Sequence, residues 1–153
     1  MIKKNKWLMV AFLVAAVAAF VFLKRFYYDG VRSLEAFVGS CETYDRAVAG
    51  LSRTMTDDAE NKARDALIDL RAKAVFRLSS LIKHDAELMN QAREVADVSG
   101  KELDALEAYR RAVQARNADS DTVNAYRVLA GKREAAWARF RELGGLKDRT
   151  DRP

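Results

Sequence analysis

The chain has 153 residues, 50% of them apolar and 32% charged, with one Cys, one His and one Pro. That length suits one domain with its own core, and the residue counts exclude an intramolecular disulfide framework, a Cys-rich zinc site and a His-pair metal site. The formal charge is +5, but Lys3, Lys4, Lys6, Lys24 and Arg25 precede residue 29 with no acid among them, and bases and acids balance from Asp29 onward. The excess flanks an apolar run, so it speaks for membrane topology and against a nucleic-acid partner.

That run, Trp7 to Leu23 (WLMVAFLVAAVAAFVFL), holds no charged or polar side chain. Its seventeen residues would span about 26 Å as a helix, at the short end for a bilayer. A helix is required there because hydrocarbon offers backbone N–H and C=O groups no partner. Trp7 and Tyr27/Tyr28 sit where interfacial aromatics settle, and Leu8, Phe12, Phe20, Phe22 and Leu23 fill the span between. Residues 1–28 are thus expected to be a short basic tail and a transmembrane anchor. Two alternatives use the same residues. Ala16-Val17-Ala18 has the small-x-small form of a signal-peptide cleavage site, which would leave a soluble extracytoplasmic bundle. Yet Phe20 to Leu23 continue the apolar run past it. Val38 to Cys41 loosely resembles a lipoprotein processing box, but it lies eighteen residues beyond Leu23, with Arg32 and Glu35 between. Lys3, Lys4 and Lys6 before the span face Lys24, Arg25 and Arg32 after it. A six-residue tail is easily left inside, so the expectation is a single-pass protein of the cytoplasmic membrane, N-terminus inside and the following domain outside.

Beyond the anchor the pattern is helical throughout, an all-α fold with an antiparallel bundle or coiled-coil-like domain of three to four helices over 29–145. In the first helix, about 30–51, Leu34, Phe37, Cys41, Tyr44, Val48 and Leu51 form one stripe at spacings of three and four. Cys41 on that stripe reads as a small buried hydrophobe. Ser52 to Asp58 punctuates the chain, and Thr56 or Asp57 can cap the next helix.

That helix is expected over 57–98, because Leu67/Ile68, Ala74/Val75, Leu81/Ile82, Leu88/Met89 and Val95/Ala96 recur every seven residues. The doubled apolar position suits a bundle helix touching two neighbours. Asp85 is the one violation, and it marks either a polar contact in the core or a break between two helices. Ser99 and Glu102 have the capping-box form that would start a further helix over 101–117, although Leu103, Leu106, Tyr109 and Val113 continue the earlier stripe. After the turn Asn117 to Asp121, a last helix over 121–143 carries Val123, Tyr126, Leu129, Ala136, Trp137, Phe140 and Leu143 and stops at Gly144-Gly145. Residues 146–153 form a charged tail.

Little of this points to catalysis. His84 and Asp85 are adjacent, so on a helix they point to different faces, and they are expected at most to form a polar interaction site. Leu81 stands where a Glu-x-x-His metal pair needs its carboxylate. Ser79-Ser80 beside Lys83 and His84 is weak evidence for a nucleophile, and no Gly-rich phosphate loop, HExxH or GxSxG is present. No catalytic residue, cofactor or metal is expected. From Arg127 onward the bases outnumber the acids, making Arg133, Arg139 and Arg141 a candidate basic partner surface or else the solvated border of an apolar stripe. The expected function is a membrane-anchored scaffold or adaptor, with the lipid bilayer and a protein partner or second copy as its contacts. The alternative is a tethered bundle that holds a small apolar or anionic ligand.

Overall fold

The computed structural model describes residues 2–75 and 85–146, without the side chains of residues 2–11, 25–29 and 85. The described residues form four helices, α1 (Ile2–Thr54), α2 (Asp57–Lys73), α3 (Asp85–Gln114) and α4 (Ser120–Leu143). α1 continues without interruption from the apolar leader into the first bundle helix, so no break divides 1–28 from 29 onward. Among the described residues no helix is long and apolar enough to cross a membrane. The described side chains of the apolar run begin at Phe12, and Phe12–Leu23 covers only about 18 Å of the ~30 Å hydrocarbon thickness. The expected span, including Trp7 and Leu8, therefore rests on the sequence of the leader.

The expected stripe of α1 is the core. Phe37, Cys41, Tyr44, Val48 and Leu51 are buried and meet Ala63, Leu67 and Leu70 of α2, Leu88, Val95, Leu103 and Leu106 of α3, and Ala136 and Phe140 of α4. α1 ends where Met55 turns into the left-handed region (φ 52°). That conformation costs a non-glycine residue roughly 1–2 kcal/mol, offset by packing of its half-buried side chain on the core. Thr56 then caps α2, its hydroxyl accepting from Ala59 N at 3.3 Å. α4 ends in a Schellman turn: Gly145 (φ 60°) donates to Glu142 O and Leu146 N to Arg141 O at 2.9 Å.

Successive helices run antiparallel. Ser40 Oγ donates to Asp69 across α1 and α2 at 2.7 Å. Arg64 pairs with Glu107 across α2 and α3, and Gln91 reaches Ala136 O across α3 and α4. The four helices thus make an up-down-up-down bundle, as the sequence predicts for the domain.

Two element boundaries differ from expectation. The helix anticipated over 57–98 stops at Lys73, with Ala74 N closing on Leu70 O, and Val75 lies outside it. A new helix starts at Asp85, the residue that breaks the heptad column. The periodicity persists across the reversal because both arms face one core, so phase reports the buried side and not whether the helix continues. Leu81/Ile82 and the tail after Leu146 lie outside the described residues. The anticipated start at 101 is absent: α3 passes through Ser99-Gly100 unbroken. Ser99 and Glu102 are buried mid-helix and do not form a cap. Gly100 is retained where α2 passes closest, for a Cβ there would collide with the Arg71 guanidinium.

Candidate functional site: a charged seam between two hairpins

The α1–α2 and α3–α4 hairpins meet across an interface that is apolar at intervals and charged between them. At mid-height, Tyr44 of α1 donates its hydroxyl to Ser99 O of α3 at 2.6 Å and lies 3.3 Å from Glu102 Oε2. Arg133 of α4 brings Nε to 2.6 Å from the same carboxylate, although its N–H is not aimed along that line. Its Nη1 donates to Asp45 Oδ1 of α1 at 2.5 Å, and the guanidinium lies over the Tyr44 ring, 5.9 Å from the centroid. One arginine thus ties three helices together.

Burial dominates the electrostatics of this cluster. It pushes the Glu102 carboxyl above its ordinary value despite the opposing pull of Arg133 and the Tyr44 hydroxyl. Asp45 is raised for the same reason, with Arg133 again opposing. The Tyr44 phenol and the Cys41 thiol are both pushed up by burial, with Glu102 adding to the first and Asp45 to the second. A thiol held protonated is a poor nucleophile and metal ligand, so the cluster's neutral Cys41 and Tyr44 and its paired charges serve cohesion.

A second charged group closes the end of the seam away from the leader. Arg110, buried on α3, donates to Asp57 Oδ1 at 2.6 Å and Met55 O at 3.2 Å, and also pairs with Glu60. Hydrogen bonding to Asp57 raises its pKa further. Nearer the leader the seam is aromatic. Phe37 meets the Phe140 ring edge-on at 4.9 Å, and Trp137 stacks on Phe140 at 5.4 Å.

The residues singled out from sequence are dispersed. His84 lies outside the described residues, and Asp85 is the first residue of α3, its side chain not described. Arg133 turns into the core, where Asp45 and Glu102 neutralise it, which removes it from the expected basic surface. Arg139 is exposed, 3.4 Å from Glu87, and Arg141 is half-buried. Phe12, Phe20, Phe22 and Leu23 are exposed along α1; Tyr27 and Tyr28 lie on the same helix. Tyr44, Asp45, Glu102 and Arg110 were missed. Their one signal is position: Ser99, Glu102 and Leu106 share a helix face that an apolar reading expects to be buried. Among the described residues no three carboxylate, His or Cys groups are placed to hold a metal ion. No protein-family model, curated protein or solved structure matches the chain.

Proposed function

We propose that the chain is a single-pass protein of the cytoplasmic membrane, N-terminus inside, whose helical bundle stands outside the cytoplasm and acts by associating with a protein partner or a second copy, without chemistry of its own. The observation that carries this reading is the continuity of α1. One helix presents Phe12, Leu13, Val17, Phe20, Val21, Phe22 and Leu23 outward and then, from Phe37 on, buries its stripe in the bundle. An apolar surface of that extent calls for a partner phase, and lipid supplies it. Side chains of residues 2–11 complete a length the bilayer accepts. Tethering confines the bundle to a surface and raises its effective concentration for partners there.

Alkaline carbonate washing of native membranes tests the anchor. Retention in the pellet is expected, and release into the supernatant would overturn it. Cross-linking in the same membranes is expected to capture a self-dimer or one dominant protein; monomers alone would remove the association. Orientation is read by labelling a Ser120→Cys variant with an impermeant maleimide. Ser120 is exposed at the start of α4, whereas Cys41 is buried. Labelling of intact cells is expected; labelling only after lysis reverses the topology.

A further inference from the structure

The two ends of the bundle are chemically unlike. Away from the leader the end is polar, with Thr54, Thr56, Asp57, Ser120 and Asp121 exposed. The leader-side end is apolar, and the helix registers fix which residues form it. Val75 lies six residues beyond Asp69, as Leu34 lies six before its partner Ser40. Met89 lies ten before Ser99, as Leu34 lies ten before Tyr44. Leu143 lies three past Phe140, as Leu34 lies three before Phe37. Four helices therefore bring Leu34, Val75, Met89 and Leu143 to one level, and the Schellman turn after α4 adds Leu146. Leu34, Met89, Leu143 and Leu146 are only partly buried, and Val75 is 68% exposed. Core-type side chains at this end are left incompletely covered.

The leader says what lies opposite. Trp7 to Tyr28 spans about 32 Å of helix, matching the ~30 Å hydrocarbon thickness between two aromatic belts. From Tyr28 to Leu34 is a further ~9 Å, and the headgroup region is about 5–7 Å deep on each side. Because α1 is unbroken, the apolar end of the bundle is held at the outer edge of the headgroups. Arg32 and Lys73 border it, suited to anionic lipid.

We propose that the leader-side end of the bundle, with Val75 as its most exposed apolar contact, rests against an anionic bilayer surface as a second, peripheral membrane contact. This rests on the leader being embedded, and the test separates the two. The full chain carries single Phe12→Cys, Val75→Cys or Ser120→Cys labels with an environment-sensitive fluorophore, in vesicles of phosphatidylcholine and phosphatidylglycerol with or without brominated acyl chains. Emission loss at positions 12 and 75 but not at 120 is expected. Loss at 12 with none at 75 overturns the peripheral contact and leaves the anchor standing. Loss at neither overturns both. Val75→Asp supplies a second reading: it is expected to raise iodide quenching of a label at Arg32→Cys while the protein stays with the vesicles, and unchanged quenching counts against the contact.

Discussion

Glu102 and Arg133 approach within 2.6 Å at the centre of the bundle, where the glutamate is 1% exposed. Neither charge is repaid in full by the other, since burial still lifts the Glu102 carboxyl above its ordinary range. Removing one partner therefore costs more than removing both. Arg133→Met is expected to destabilise by about 3 kcal/mol because it strands Glu102 and half-buried Asp45. Adding Glu102→Leu is expected to restore most of that loss, as Tyr44 keeps Ser99 O as its acceptor. Urea unfolding of the two single variants and the double variant gives the cycle; additive losses would contradict the pairing.

The same carboxylate gives a pH dependence of definite sign. A group whose folded pKa is raised binds its proton more tightly when folded. Its contribution is complete below the ordinary glutamate value of 4.5 and is lost as pH rises through the folded value. Asp45 and Glu107 act in the same sense, while Asp69 and Asp119, with lowered values, oppose them. Comparing wild type with Glu102→Gln isolates the one group. The stability advantage of wild type is expected to shrink as pH is raised from acid to neutral, and a gap that widens would refute the assignment.

Phe140 is fully buried between Phe37 and Trp137. Phe140→Ala removes both ring contacts and leaves a cavity where α4 meets α1, an expected cost of about 3–5 kcal/mol. Near-ultraviolet circular dichroism, which reports the fixed aromatic cluster, is expected to fall in the same variant, with the helical signal retained below the new midpoint.

Gly100 trades helix propensity for the close passage of Arg71. In an Arg71→Ala background, Gly100→Ala is expected to stabilise by about 1 kcal/mol, the propensity difference alone. With Arg71 present, the guanidinium must move and the gain should be smaller. Equal gains in both backgrounds would show that the passage is not what retains the glycine.

Thr56→Ala tests the α1–α2 turn. Loss of the single hydroxyl acceptor of Ala59 N is expected to cost about 1 kcal/mol, read as a shift in thermal midpoint.

The stripe of α1 from Leu34 to Leu51, the cap at Thr56, the turn before α4 and the glycine stop after it were legible because each depends on residues within one or two turns of chain. The reversal between α2 and α3 was not, since Leu67 and Leu70 on one arm and Leu88 and Val95 on the other keep a single heptad phase while facing the same core. Ser99 and Glu102 carry the local signature of a helix start, yet tertiary burial and Tyr44 claimed both side chains for the seam.

Local chain chemistry alone thus determined that this protein is helical, which faces of α1 and α3 are apolar, and that its first residues are fit for lipid, because periodicity and run length are properties of contiguous residues. Only packing decided that Arg133 turns inward to Asp45 and Glu102, and that Leu34, Val75, Met89 and Leu143 share one level. Those relationships join positions separated by up to 109 residues, whose distance in space is set by how the hairpins dock.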